Sequence, residues 1–236
     1  MKVLILTTNT LHHTYFVNKF KSKYKNTFVI CESKKIKFRY KTFHKFEKKR
    51  DEFEKKIWFN NTNISLKNQK KVKFVSDINK LNDKKFKFND YKIIFVFGIG
   101  IISKDLLKKI NCTILNFHGG DPEKYRGLDS HLWAILDKKY NQLFVTLHKL
   151  EVGIDTGDIL FKKKIVLKKN MQLFQLRKIN TEICLDFALK TLDRLLKNKK
   201  LIYKKQKKVG KYFSSMSAYN KNKCNILFKK FTNKIK

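Results

Sequence analysis

The chain has 236 residues, of which 42% are hydrophobic and 14% aromatic, which supports a buried core and excludes a disordered polymer. Its formal net charge is +37, a value that by itself favours a polyanionic partner such as nucleic acid. No apolar run approaches the roughly 20 residues of a transmembrane helix, and the N-terminus turns polar too soon for a signal peptide, so we expect a cytoplasmic protein without membrane association.

The N-terminal segment has the pattern of a Rossmann-like opening. The apolar run 2–6 predicts a buried parallel strand, a helix is expected over 13–24, and 27–31 predicts a second strand. The first loop lacks the Gly-x-Gly-x-x-Gly fingerprint, so dinucleotide binding is not expected. His12 and His13 in this loop either contact a ligand or are polar loop residues.

A lysine-rich segment precedes the next buried strand. Residues 44–58 predict an amphipathic helix, which we interpret as a surface helix docked on the sheet. Residues 91–97 predict a buried strand that runs directly into Gly98-Ile99-Gly100-Ile101-Ile102, with a helix near 103–107. Two glycines straight after a strand let the backbone approach a ligand closely, and the isoleucines favour an apolar slot over a phosphate-binding loop.

The second half of the sequence favours antiparallel pairing. A strand is expected over 113–117 and a helix over 130–140. Residues 143–150 and 158–166 alternate as antiparallel strands do. Residues 171–198 predict the longest helix, which we interpret as core packing that carries no site.

These elements predict an α/β fold with a Rossmann-like, mostly parallel sheet, helices on both faces and antiparallel strands in the second half. We expect a catalytic domain over 1–200 and a short C-terminal extension over 201–236.

The basic charge has a plain explanation in residue usage. Only five of the 56 basic residues are arginine, although arginine is the better ligand for phosphates and base edges. Lysine, asparagine, isoleucine and phenylalanine are all abundant, as an AT-rich genome produces. We therefore do not expect a nucleic-acid partner, while an anionic small substrate stays open.

Neither cysteine nor histidine spacing predicts a metal site. The four cysteines stand far apart, so no zinc site or disulfide framework is expected: Cys31, Cys112, Cys184 and Cys224. None of the six histidines forms a recognised ligand motif. Nucleophilic catalysis is also not expected, because no serine or cysteine lies at a nucleophile elbow.

Three polar residues at neighbouring strand ends suit the transfer of a small acyl group to an amine. Asn116 and His118 share one face of a strand because side chains alternate with period two, and Asp155 follows a neighbouring strand. The Asn amide can donate to a developing oxyanion, the imidazole can take a proton from the amine, and the carboxylate can orient that imidazole.

The stretch 114–159 resembles the formyltransferases that use 10-formyltetrahydrofolate, a family that includes glycinamide ribonucleotide, methionyl-tRNA and sugar N-formyltransferases. The resemblance lies in Asn-x-His at 116–118, Tyr-Arg-Gly at 125–127, Val-Thr-x-His at 145–148 and Asp-x-Gly-Asp at 155–158. It implies that Asn116, His118 and Asp155 are catalytic. It also implies a folate-binding slot formed by Phe97, Gly98, Ile99, Gly100, Ile101, Ile102, Glu151, Gly153 and Ile154.

The loop after His118 departs from the family's usual Ser-Leu-Leu-Pro, because this chain has Gly-Gly-Asp-Pro at 119–122. This loop and the tail 206–214 resemble the short sugar N-formyltransferases, and few residues follow Leu201 compared with the C-terminal barrel of a methionyl-tRNA enzyme. The resemblance implies a nucleotide-linked amino-dideoxy sugar as the amine substrate, and a homodimer. The expected contacts to this substrate are Gly119, Gly120, Asp121, Tyr125, Arg126 and Asp129.

Two alternatives remain open. The first is formylation of another amine, on methionyl-tRNA or glycinamide ribonucleotide. The second is a basic RNA-binding protein without enzymatic activity.

Overall fold

The computed structural model describes residues 1–34, 38–81 and 86–236. Nine strands are described in these ranges: β1 (Val3–Thr8), β2 (Thr27–Glu32), β3 (Val72–Val75), β4 (Ile93–Phe97), β5 (Thr113–His118), β6 (Tyr125–Gly127), β7 (Phe144–Lys149), β8 (Ile159–Lys164) and β9 (Lys211–Phe213). Six α-helices accompany them: α1 (Leu11–Lys23), α2 (Lys45–Phe59), α3 (Lys104–Lys108), α4 (Ser130–Leu136), α5 (Leu176–Leu196) and α6 (Ala218–Thr232).

Seven strands form the central sheet in the order β3-β2-β1-β4-β5-β7-β8. The pairs from β3 to β5 are parallel, whereas β5 pairs with β7 and β7 with β8 in antiparallel register. Buried side chains form one cluster on each face of the sheet, because inner parallel strands are covered on both faces. The predicted mixed α/β sheet is confirmed.

Local capping explains where two helices begin. His44 caps α2, since its Nδ1 accepts from the Phe46 N–H while Glu47 Oε2 accepts from the His44 N–H. Ser103 caps α3 through a bond from the Leu106 N–H to its hydroxyl. Both helices start within one residue of expectation.

Two predicted helices are shorter than expected. The helix expected over 130–140 ends at Leu136, where Lys138 adopts φ 58°. The helix expected over 171–198 begins at Leu176, after a single 3-10 turn, Leu173–Gln175.

The C-terminal residues pack against β6 and α4. Strand β9 pairs in parallel with β6 in a separate two-stranded sheet, and α6 packs against α4, with Phe228 fully buried. The domain boundary at residue 200 stays a prediction. Within the described ranges, none of the helices combines the length and apolarity that a membrane crossing requires.

Candidate active site

The carboxyl end of β5 meets β7 at a cluster of polar side chains. Asn116 and His118 stand two residues apart on β5, and the antiparallel register sets Asn116 opposite His148. Asp155 lies in the loop between β7 and β8 and is 9% exposed. Antiparallel pairing therefore brings the end of β5 and the loop after β7 together, as the sequence predicted for Asn116, His118 and Asp155.

The Asp155 carboxylate is the centre of this cluster. Its Oδ1 lies 3.2 Å from Asn116 Nδ2 and 3.3 Å from His148 Nε2. Its Oδ2 lies 3.3 Å from His118 Nδ1 and accepts from the Gly127 N–H at 2.8 Å. A single carboxylate thus orients an amide and two imidazoles.

Burial and charge have opposite effects in the cluster. Burial alone would raise the pKa of Asp155, but His118, His148 and the Gly127 N–H outweigh it and hold that pKa far below the usual range. Burial lowers the pKa of His118, against the opposing effect of Asp155. At neutral pH the site therefore has an ionised carboxylate beside a neutral His118 ring.

Hydrogen-bond partners fix the tautomer of both histidines. His118 Nε2 lies 2.8 Å from the carbonyl oxygen of Tyr125, and His148 Nδ1 lies 2.6 Å from that of Lys149. Because a carbonyl only accepts, each of these nitrogens carries the proton. His118 Nδ1 therefore has a lone pair beside Asp155, where an added proton would be held by the carboxylate.

The Asn116 amide keeps one N–H for a ligand. Its Nδ2, His148 Nε2 and Asp155 Oδ1 are separated by 3.2, 3.3 and 3.3 Å. Seen from Nδ2, the His148 and Asp155 atoms of this nearly equilateral triangle lie about 60° apart, whereas the two amide hydrogens point about 120° apart. One hydrogen therefore faces both atoms, and the second N–H points away from them.

The loop that carries Asp155 is held by two distant side chains. Asp155 adopts φ 54°, and Gln206 Nε2 donates to the carbonyls of Asp155 and Gly157 at 2.9 and 2.8 Å. Arg126 Nη1 donates to the carbonyl of Ile154 at 2.9 Å. These bonds fix the backbone on both sides of the carboxylate.

The cluster opens into a cavity of about 610 Å³. One part of the lining, which we call the glycine wall, consists mainly of backbone and apolar side chains, with Glu151 as its one acidic residue: Val96, Gly98, Ile99, Gly100, Ile101, Ile102, Leu150, Glu151, Val152, Gly153 and Ile154. It includes every predicted folate-slot residue except Phe97, which is 6% exposed and packs its ring 4.5 Å from that of His13.

Gly98 has no room for a side chain. It adopts φ +80°, and a Cβ there would overlap the His13 ring. His12 also lines the cavity. Of the two histidines whose role the sequence left undecided, His12 therefore reaches the site and His13 supports it. Burial and the neighbouring His13 lower the pKa of His12, and burial lowers that of His13 to about 3, so both rings are neutral.

A second part of the lining, which we call the helix wall, comes from α2, α4, the turn before α5 and α5 itself: Phe46, Glu47, Arg50, Ser130, His131, Leu132, Leu173, Leu176, Arg177 and Asn180. The expectation that helix 171–198 carries no site is wrong, because Arg177 and Asn180 face the cavity. The helix expected at 44–58 is likewise more than a surface helix, since it buries Phe46 and Glu54.

Four of the six expected contacts to the amine substrate lie outside the cavity lining. Asp121 is 4% exposed and binds Lys162 at 2.6 Å, and the Tyr125 hydroxyl donates to Asp137 at 2.9 Å. Arg126 holds backbone carbonyls, and a Cβ on Gly120 would lie 2.6 Å from His118 Nε2. These residues support the site instead of facing it.

Gly119 and Asp129 do line the cavity. The Asp129 carboxylate is already engaged, because its Oδ2 accepts from the Met216 N–H at 2.8 Å and lies 3.6 Å from Lys221 Nζ. Asp129 therefore ties the C-terminal residues to the start of α4.

The sequence interpretation left out His148, Gln206 and Asn180. His148 stands in the quoted Val-Thr-x-His segment, so a paired register was the signal that could have found it. Gln206 and Asn180 have no local signal, because each acts across the fold. Among the described residues, no group of three or more His, Cys, Asp or Glu could hold a metal ion.

The chain matches a known protein family and several known proteins. The family model described as Formyl transferase matches residues 1–180. The methionyl-tRNA formyltransferase of Clostridium acetobutylicum is 31% identical over 126 residues, which cover 53% of this chain and 40% of that protein. The bifunctional polymyxin resistance protein ArnA of Wigglesworthia glossinidia brevipalpis is 32% identical over 157 residues, 63% of this chain and 23% of that protein. The matches thus span less than half the length of these relatives.

Solved structures share the fold at low identity. A 4-N formyltransferase from Francisella tularensis has a TM-score of 0.61 at 18% identity, covering 90% of this chain and 76% of that one. WlaRD, a sugar 3N-formyl transferase described with dTDP and 5-N-formyl-THF, has a TM-score of 0.61 at 19% identity, with 91% and 69% covered. With the family model matching residues 1–180 of the 236, this chain belongs to the formyl transferase family.

Proposed function

We propose that the protein transfers a formyl group from 10-formyltetrahydrofolate to the amine of a nucleotide-linked amino-dideoxy sugar. The observation that carries the transfer is the cluster of Asn116, His118 and Asp155 on the wall of a cavity whose other lining includes a glycine-rich, apolar slot. Its volume of about 610 Å³ suits small molecules.

The slot fits the flat ring system of a folate. Its walls are backbone and isoleucine side chains. Gly98 lines it with backbone alone, because the His13 ring occupies the place that a side chain of residue 98 would need. When bound, this co-substrate supplies a formyl carbon on nitrogen. In the proposed reaction the amine nitrogen bonds to that carbon, the bond from the carbon to the folate nitrogen breaks, and the amine proton passes to the departing nitrogen.

The residues of the cluster have separate tasks in this proposal. The free N–H of Asn116 stabilises the oxyanion, a contribution of about 3–4 kcal/mol where such a donor is well placed. His118 holds the proton on its way from the amine, at the nitrogen that faces Asp155. Asp155 stabilises the protonated ring and fixes its orientation.

The sugar acceptor is supported by the structures that share the fold. Their descriptions include a likely sugar N-formyltransferase from Mycobacterium tuberculosis and PseJ from Anoxybacillus kamchatkensis, the latter with a UDP-linked formamido sugar and tetrahydrofolate. In this chain the tail also contributes Tyr212 and Ser214 to the cavity lining. The homodimer and a role in surface polysaccharide synthesis are implied by the resemblance alone, and the cytoplasmic location was expected from the sequence pattern of the N-terminus; all three stay predictions.

A direct assay tests this function. Purified protein is incubated with 10-formyltetrahydrofolate and a panel of nucleotide-linked 3-amino and 4-amino sugars, and product masses are read. We expect a gain of one formyl group on one member of the panel, and none with His118→Ala. Absence of any formylated sugar would reject the sugar acceptor.

A second candidate acceptor is methionyl-tRNA, because several relatives found by sequence are methionyl-tRNA formyltransferases. The net charge of +37 would assist tRNA binding. Charged tRNA in the same assay separates the two: formyl transfer to it, with salt-sensitive binding, would replace the sugar proposal. Tight RNA binding that His118→Ala leaves intact, without any transfer, would instead support the non-enzymatic alternative.

A further inference from the structure

One polar side chain in the helix wall lacks a protein partner. Asn180 on α5 is 8% exposed and lines the cavity. Its Nδ2 contacts Cys184 Sγ at 3.8 Å, while its Oδ1 is buried without any hydrogen-bond partner among the described residues. A buried amide oxygen without a partner costs about 1–3 kcal/mol, so its retention beside a cavity points to a ligand.

A second hydrogen-bond acceptor lies beside it. His131 Nε2 lies 2.6 Å from the carbonyl oxygen of Phe144 and therefore carries the ring proton. Burial lowers the pKa of His131 to about 4, so its Nδ1 keeps a free lone pair at neutral pH. A Cβ placed on Gly119 would lie 3.3 Å from Asn180 Oδ1 and 3.7 Å from His131 Nδ1, which locates both atoms at one spot.

This spot adjoins the reacting centre. Gly119 follows His118 directly and lines the cavity together with Asn180 and His131. The two unpartnered atoms are both acceptors, and they suit a ligand group that donates hydrogens. An anionic group such as phosphate would be repelled by two lone pairs.

The cations near this spot are already paired. Every charge of the surrounding network has an opposite charge within 4 Å; the cations are Arg50, Arg177 and Lys221, and the carboxylates are Glu47, Asp51, Glu54 and Asp129. With three cations against four carboxylates, these described residues offer no free positive charge to a diphosphate. An uncharged or cationic part of the substrate is favoured here.

We propose that Asn180 and His131 form a paired hydrogen-bond acceptor that binds an N–H or O–H donor group of the amine substrate. This inference rests on the proposed function and adds the residues that recognise the amine-bearing ring. The donor is either the amine itself or a hydroxyl next to it, two sources with the same hydrogen-bonding chemistry. Asn180 thereby selects for substrates that carry a donor at this position.

Steady-state kinetics of Asn180→Leu test the proposal, with the amino-sugar nucleotide that the wild type formylates best. We expect kcat/KM for that substrate to fall about tenfold or more, because its donor is left unpaired. The KM for 10-formyltetrahydrofolate should stay within about twofold. Asn180→Asp keeps an oxygen at the same place, so its kcat/KM for the amine substrate should fall less than that of Asn180→Leu.

Thr181→Val is the matched control. Thr181 is the next residue on α5, is fully buried, bonds its hydroxyl to the Arg177 carbonyl and does not line the cavity. It should leave kcat/KM for the amine substrate unchanged within about twofold. Equal losses in Thr181→Val and Asn180→Leu would overturn the proposal, as would an Asn180→Leu enzyme that matches the wild type.

Two further arms identify the donor and separate the proposals. If the hydroxyl next to the amine is the donor, a substrate analogue that lacks it should have a kcat/KM in the wild type that is lowered by the same factor as the Asn180→Leu substitution causes. The same analogue should then cause no further loss of kcat/KM in the Asn180→Leu variant. If the wild type formylates the analogue with an unchanged kcat/KM, and Asn180→Leu still lowers that kcat/KM by the same factor, the amine is the donor. A wild type that formylates no amino sugar rejects the proposed function and this inference together, whereas failure confined to the variants rejects this inference alone.

Discussion

The two walls of the cavity are built in opposite ways. The glycine wall consists of two short continuous segments that follow β4 and β7, and it presents backbone and apolar side chains. The helix wall takes side chains from α2, α4 and α5, which lie far apart in the chain, and it presents paired charges and unpartnered acceptors. One wall selects by shape and the other by hydrogen bonding and charge.

This difference has a consequence for substitutions. A change in the glycine wall acts through backbone conformation and space, so it should affect folate binding. A change in the helix wall breaks hydrogen bonds or ion pairs, so it should affect the stability of the protein or the binding of the amine substrate. The Asp155 cluster adjoins both walls and should affect turnover itself.

The largest expected effect comes from Asp155→Asn. Asparagine tolerates the left-handed backbone at this position and can still accept from the Gly127 N–H, but it removes the charge that stabilises protonated His118. We expect kcat to fall about 10³-fold, with both KM values within about threefold. Asp158→Asn, at a carboxylate paired with the half-exposed Lys149, is the control and should stay within about threefold. A comparable loss of kcat in both variants would contradict a specific role of the Asp155 carboxylate in turnover.

Arg177→Met should have the largest effect on stability. Its guanidinium pairs with the fully buried Glu54 and with Asp51, so the substitution leaves a buried carboxylate without its partner. We expect the free energy of unfolding to fall by about 3 kcal/mol in urea titrations. Lys178→Met, which removes only the half-exposed pair with Glu182, should change it by less than about 1 kcal/mol. Equal effects would show that the buried network is not what stabilises this wall.

Gly98→Ala tests the glycine wall. The added Cβ meets the His13 ring and strains a residue at φ +80°, so we expect a loss of about 1–3 kcal/mol in stability and a higher KM for the folate. Gly100→Ala is the control for the loss of stability: its Cβ meets only Glu32 Oε2, at 3.3 Å, so it should cost less stability than Gly98→Ala. An unchanged folate KM in Gly98→Ala would argue against a close approach of the ligand here.

The smallest expected effect is a pH dependence from buried histidines. The pKa of His13 is about 3 and that of His131 about 4 in the folded protein, against about 6.5 in the unfolded chain. Below pH 6.5 the unfolded state therefore binds more protons, and stability is lost as the pH falls. Urea midpoints measured between pH 7.5 and 5 should decrease steadily. A midpoint that rises on acidification would refute the neutral state of these rings.

Several local sequence patterns were sufficient to predict the strands of the sheet and the residues that come together around Asp155. Apolar runs predicted the strands because inner parallel strands are buried on both faces, and period-two alternation predicted that Asn116 and His118 share a face. Helix α5 was recognised by its apolar stripe, but that stripe says nothing about the polar face. Arg177 and Asn180 on that face line the cavity together with residues of α2 and α4, which are distant in the chain.

The sequence by itself determined the mixed sheet, the glycine slot after β4 and the residues of the Asn116, His118 and Asp155 cluster, because each depends on neighbours in the chain or on one strand pairing. Only the tertiary structure decided which polar side chains face the cavity. Asp121 turns to Lys162 instead, and Asn180 faces the cavity. The physical reason is that a side chain's direction depends on partners far away in sequence, which local periodicity does not encode.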